Sequence, residues 1–275
     1  MRKPGRAKRP PHSWRPAQPS DDTLLLVTVP LRTTLLFFTA YALNTTAHEL
    51  ARAVAAYSLG LRSTLFQYYA NIDFTGPDPK PRVLVAVAGP VFSLVFGLVC
   101  WLVYRKIRLK ASKLSWLYLA IFGISIFLGN IFSTSFTGDF ATAATLLNVD
   151  PTIRLLMTIL GLALSAAFLS AMGQELVKWA PHGSGRTMAM VHMILLPATL
   201  GTAAVILAFL PLPAQFIVGW LTTALFWLFA AAGAYVASEY ATGGGNLQTR
   251  PLEYVAAAVA LAVVRVLVVG ISLAP

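Results

Sequence analysis

The chain has 275 residues, 57% hydrophobic and 11% charged, with a net charge of +11. Soluble domains carry about 25% charged residues, so too few polar side chains are present to cover a globular surface, and a soluble enzyme or a disordered chain is excluded. A secreted disulfide scaffold is excluded as well, because Cys100 is the single cysteine.

Several apolar runs reach the roughly 20 residues that a helix needs to cross about 30 Å of hydrocarbon. The pattern predicts an all-α polytopic membrane protein with about seven transmembrane helices. Residues 1–22, with five prolines and six basic groups, read as a disordered cytoplasmic tail. The first span is expected over Leu31–Leu61, with Pro30 in its first turn and Gly60 at its stop. Residues 62–81 form a polar connection rich in turn formers, expected at the membrane surface as a hairpin able to pair with an extended peptide.

Further spans are expected over Arg82–Tyr104, Leu114–Ser133, Thr152–Val177, Thr187–Leu210, Pro213–Ser238 and Leu252–Leu273. A more polar stretch runs from Thr134 to Pro151, and Ala241–Asn246 reads as a flexible loop. Pro211 and Pro213 suggest a tight hairpin between the fifth and sixth spans. The chain divides into the tail (1–22), a membrane core (23–150) and a C-terminal four-helix membrane region (151–275).

The basic residues cluster in the tail and in the loop Arg105, Lys106, Arg108, Lys110 and Lys113, with Lys178, Arg186 and Arg250 on the same expected side. Basic clusters flanking apolar spans mark the cytoplasmic side and anionic headgroups rather than nucleic acid. The expected location is therefore an integral membrane protein of the bacterial cytoplasmic membrane, N-terminus inside, with the lipid bilayer as a partner and no nucleic acid. Arg265 reads as snorkelling from its span, and Glu175 and Glu239 as facing headgroups.

Polar groups inside spans are costly and ask for a partner or a role. The densest set lies in the first span: Asn44, Thr45, Thr46, His48, Glu49 and Arg52. Positions i, i+3 and i+4 share a helix face, so His48, Glu49 and Arg52 can meet on one side.

Residues Thr46–Gly60 resemble the metal-binding helix of the site-2 protease family of intramembrane zinc metalloproteases, which reads His-Glu-x-x-His and runs on to a Leu-Gly. Ala88-Gly89-Pro90 with Ser93 resembles that family's Ala-Gly-Pro segment, where Asn is common at the position of Ser93. Gly138-Asp139 lies where the family has an Asp-Gly supplying the third zinc ligand, here in reversed order. The resemblance covers residues 44–147 and implies that the first three spans form a site-2-protease-like core. It also implies ligand positions at His48 and Asp139 and a general-base position at Glu49.

One departure decides the chemistry: the second histidine of the motif is Arg52. A hydrolytic zinc needs three protein ligands and an open position for water. A guanidinium offers no lone pair and repels a divalent cation. The expectation is a degenerate zinc site with no cofactor, in which Arg52 stands in for the metal between Glu49 and Asp139 with His48 alongside. Such a chain is a catalytically inactive pseudoprotease that binds or scaffolds a membrane-embedded protein or peptide. The alternatives are an active zinc protease with an atypical ligand set, with His192 as a rescuing ligand, and an unrelated small transporter. The positive-inside count places His48 and Asp139 toward the non-cytoplasmic face, whereas relatives often hold the metal nearer the cytoplasm.

Overall fold

The computed structural model describes residues 21–74, 78–108, 110–181, 185–211, 214–237 and 251–274. The expected disordered tail (residues 1–20), the loop 241–246, Glu239 and Arg250 lie outside these residues. Asp21 and Asp22, assigned to the tail from sequence, already belong to the first helix.

Helix α1 runs from Asp21 to Ser58 and begins ten residues before the expected start. Pro30 is therefore inside the helix. The first-turn role expected of it falls to Pro79 and Pro151, which open α2 (Pro79–Lys106) and α5 (Pro151–Val177). Each is preceded by an aspartate N-cap. Asp78 accepts from Lys80 N–H at 2.9 Å and Asp150 from Thr152 N–H at 2.8 Å.

Helix α3 (Lys110–Phe132) continues through a single 3-10 turn at 133–135 and is followed by the short α4 (Asp139–Leu146). Helices α6 (Arg186–Met190) and α7 (Leu196–Phe209) are two parts of one apolar rod, joined by a π turn over Val191–Leu195. A π turn leaves carbonyls without their usual i+4 partners. Here Thr33 Oγ1 donates to His192 O at 3.0 Å and Tyr118 Oη to Met193 O at 3.1 Å, which satisfies two of them from neighbouring helices. Helices α8 (Ala214–Ala237) and α9 (Pro251–Leu267) complete the set.

Four helical stretches are long and apolar enough to cross a membrane: Pro79–Lys106, Ser112–Ser135, Pro151–Val177 and Thr187–Phe209. Large apolar side chains such as Leu155, Leu156, Ile159 and Leu160 face outward along α5. Both features are consistent with an integral, mainly helical membrane protein in contact with lipid. The expected last span does not run to Leu273. Gly270 adopts a left-handed φ of 83°, a conformation that favours glycine, and Ile271–Leu273 leave the helix as strand β3.

The remaining strands are β1 (Ser63–Leu65) and β2 (Ala70–Ile72), which pair antiparallel as the expected hairpin. The third strand was not foreseen. It pairs antiparallel with β1, giving the order β2-β1-β3 with Leu65 opposite both Ala70 and Ile271. β1 is thus the central strand, paired on both sides by the chain itself, with β2 and β3 at the edges.

The largest buried cluster crosses the boundary expected at residue 150. Phe37 of α1 meets Phe122 of α3 edge-on at 4.7 Å and Trp227 of α8 at 5.0 Å. Lipid is as apolar as a protein core, so helices in a bilayer associate through close packing and small residues. A Cβ on Gly97 would lie 2.7 Å from Ile124 N, and one on Gly123 2.7 Å from Gly97 Cα, so α2 and α3 touch backbone to backbone. Gly173 and Gly233 do the same for α5 and α8, each facing a backbone carbonyl of the other helix, Ala230 O and Ser170 O.

Candidate functional site: a buried ionic cluster

His48 and Glu49 lie within α1, Gly89 and Ser93 near the middle of α2, and Asp139 is the first residue of α4. These elements bring the side chains singled out from sequence to one place. His48 Nε2 is 2.8 Å from Asp139 Oδ2, and His48 Nδ1 is 3.0 Å from Ser93 Oγ. Arg52 Nη1 donates to Glu49 Oε2 at 3.0 Å and stands 3.4 Å from Asp139 Oδ1. His48, Glu49, Ser93 and Asp139 are buried, while the Arg52 side chain is 21% exposed.

Local sequence explains the geometry. One helical turn puts Glu49 and Arg52 in i, i+3 contact. Gly89 has no side chain, and a Cβ there would sit 2.6 Å from His48 Nε2, so only glycine lets α2 approach the imidazole this closely. Pro90 is buried beside it and Ala88 is partly buried. Gly138, at φ 101°, turns the chain so that Asp139 starts α4.

Three supporting groups escaped sequence reading. Ala70 N–H at the start of β2 donates to Glu49 Oε2 at 2.9 Å, so that oxygen has two donors. Asp139 N–H donates to Asn130 Oδ1 at 3.2 Å, tying the start of α4 to α3. Arg154 donates to Ala144 O and Val149 O, both at 2.9 Å, and to Thr145 Oγ1 at 3.0 Å, which holds the far end of α4. Asn130 is a polar residue in an apolar span and could have been flagged as such; the other two contacts leave no mark in the spacing of residues.

With Asp139 ionised, His48 Nε2–H is the donor between them, and a neutral ring leaves Nδ1 to accept from the Ser93 hydroxyl. Ser93, His48 and Asp139 then stand in the order of a nucleophile, a base and an orienting carboxylate. The surroundings do not suit that chemistry. Ser93 is 1% exposed and lies inside α2, where its own N–H belongs to the helix and is not available to an oxyanion. The arrangement is a hydrogen-bonded strut between three helices.

The residues also fit zinc poorly. The i+4 partner of His48 is a guanidinium, and its Nη1 already lies within 3.4 Å of both carboxylates that a cation would draw on. Among the described residues, no group of three or more His, Cys, Asp or Glu is placed to hold a metal ion. His192, the candidate for a rescuing ligand, is buried in the π turn between α6 and α7; His12 and His182 lie outside the described residues.

Two residues read from sequence as facing the membrane surface have partners within the protein. Arg265 Nη1 and Nη2 donate to Leu210 O at 3.0 Å and Leu207 O at 3.3 Å, capping the end of α7. Glu175 accepts from Tyr104 Oη at 3.1 Å and pairs with Lys178 at 2.6 Å. The structure adds a buried ion pair with no sequence signature, Arg32–Glu253 at 2.7 Å, joining α1 to α9.

No protein-family model matches the chain, and no curated protein or solved structure is significantly similar to it.

Proposed function

We propose that the chain is a pseudoprotease of the site-2 protease type, which keeps the buried site as scaffolding and binds another membrane protein. One observation carries this reading: Arg52 Nη1 lies 3.0 Å from Glu49 and 3.4 Å from Asp139. Two buried carboxylates need a compensating charge. A planar guanidinium supplies it where the resembled proteases have a cation and a second imidazole. Glu49, at the general-base position, has one carboxylate oxygen held by both Arg52 and Ala70 N–H.

In this reading seven helical passes cross the bilayer: α1, α2, α3, α5, the α6–α7 rod, α8 and α9. The N-terminus and the basic 105–113 loop lie on the cytoplasmic side of a bacterial inner membrane. The His48 cluster then lies toward the opposite leaflet, because α1 carries it near the end that leads into the hairpin.

The test is elemental analysis of the purified protein beside Arg52→His, each also incubated with a transmembrane reporter substrate. The wild type is expected to hold well under one zinc per chain and to leave the reporter intact. Arg52→His, which restores the i, i+4 imidazole pair, is expected to take up zinc. One tightly held zinc in the wild type, lost on both His48→Ala and Asp139→Ala, would overturn the proposal in favour of an active metalloprotease.

A further inference from the structure

Charge is divided unequally between the two ends of the bundle. At the end carrying the His48 cluster and the sheet, Arg52, Arg62, Lys80, Arg82, Arg154 and Arg265 are nearly balanced by Glu49, Asp73, Asp78, Asp139 and Asp150. The opposite end is where α2 finishes, α3 begins and α5 finishes, as the contact between Tyr104 and Glu175 shows. There, Arg105, Lys106, Arg108, Lys113 and Lys178 lie around Glu175, while Glu253 at the start of α9 is paired with Arg32. Glu175 is already paired with Lys178. No described carboxylate is within ion-pair distance of the other four cations.

Two of these cations are held in place. The Arg105 guanidinium lies over the Trp101 ring at 5.8 Å, and Lys113 Nζ lies over the Tyr104 ring at 5.6 Å. Tyr104 is itself fixed by its hydroxyl bond to Glu175. Cation–π contact positions a charge without neutralising it. The cations are also continuous with an apolar wall. Leu98, Val99 and Leu102, on the last turns of α2, are 46%, 51% and 55% exposed. A ligand that fits both features has a phosphate at the cations and hydrocarbon along α2. A free anion satisfies only the first, and a nucleic acid cannot cover the second.

We infer that the junction of α2, α3 and α5 is a headgroup site for an anionic phospholipid, with Arg105, Lys106, Arg108 and Lys113 binding the phosphate and α2 seating an acyl chain. Lipid electrostatics make such a site selective, since clustered Lys and Arg at the membrane surface each favour an anionic headgroup. The inference is independent of the chemistry of the His48 cluster.

The experiment titrates the full chain in detergent with phosphatidylglycerol, phosphatidylcholine or glycerol phosphate and follows the thermal midpoint. Phosphatidylglycerol is expected to stabilise at a several-fold lower concentration than phosphatidylcholine, and glycerol phosphate is expected to have no comparable effect. In the variant Arg105→Gln/Lys106→Gln/Arg108→Gln/Lys113→Gln the two lipids should become equivalent. In Arg62→Gln/Lys80→Gln/Arg82→Gln, which removes three charges at the other end, the preference should persist. Equal effects of the two lipids on the wild type, stabilisation by glycerol phosphate alone, or a preference surviving in the fourfold variant each overturn the site. If the fourfold variant does not fold, counting lipids retained by Arg108→Gln and Lys113→Gln in native mass spectrometry gives the same decision. Undiminished phosphatidylglycerol retention in both refutes it.

Discussion

Asp139 and His48 are 91 positions apart in the chain, yet Asp139 Oδ2 meets His48 Nε2 at 2.8 Å. The contact spans two helices of the bundle, with Arg52 reaching the other Asp139 oxygen from the same face of α1. The site therefore acts as a clasp between α1 and α4, and its members should behave as a coupled set rather than as independent side chains.

Loss of Arg52 should be costly. Removing one partner of a buried ion pair leaves an uncompensated charge, at roughly 3–5 kcal/mol, and partial exposure of Arg52 sets the expectation for Arg52→Ala near the lower end, about 3 kcal/mol. Combining it with Glu49→Gln and Asp139→Asn should restore part of the loss, because the stranded charges are then gone. Thermal unfolding of the single, double and triple variants measures the coupling. Strict additivity would sink the clasp.

Gly89→Ala should disturb the imidazole directly. The added methyl would occupy space now held by the His48 ring, and overpacking of this kind costs about 1–3 kcal/mol. If the ring is displaced from Asp139, Asp139→Asn should cost less in the Gly89→Ala background than in the wild type. Unchanged costs would mean that α2 moves instead of the ring.

Much of this was open to reading before any coordinates. The i, i+3 and i+4 spacing alone puts His48, Glu49 and Arg52 on one face of one helix, and apolar run lengths locate α2, α3, α5 and the α6–α7 rod closely. Asp139 is different, since nothing in local spacing joins it to His48; only the likeness of ordered motifs suggested it. Arg32–Glu253 and the Arg265 caps on α7 were invisible for the same reason. Their partners lie far away in sequence, 221 positions in the case of Arg32, and are chosen by helix packing. Pro30 misled because a proline at a first turn and a proline within a longer helix look alike from local sequence.

The glycine pair between α5 and α8 should tolerate little. Gly173 and Gly233 each sit against the carbonyl of the facing helix, at Ala230 and Ser170. Gly173→Val or Gly233→Val must push the helices apart, and with close packing as the main attraction between them either should lower the thermal midpoint by more than Gly129→Val. A Cβ at Gly129 meets nothing within 4 Å, so that substitution serves as the control.

Asp150 gives a pH-dependent test. The Thr152 backbone N–H, with help from the Thr152 hydroxyl, holds the Asp150 carboxyl below the usual aspartate range. A carboxyl lowered by folding stabilises fully above its unfolded pKa, about 4, and loses that contribution as the pH falls through its folded value. The difference in thermal midpoint between the wild type and Asp150→Ala should therefore be constant near neutrality and shrink below about pH 4. Asp150→Ser, which keeps a cap without a charge, should show no such dependence.

The hairpin of β1 and β2 is complete once residue 72 has been made, but its third strand, pairing Leu273 with Ser63, comes some two hundred residues later. At synthesis rates of roughly 5–20 residues per second, that interval is on the order of ten to forty seconds. Throughout it the backbone of Ser63–Leu65 presents an unpaired edge, the kind of surface that recruits strands from other chains. Any neighbour that engages it in the nascent protein does so without having to displace β3, and afterwards must compete with it.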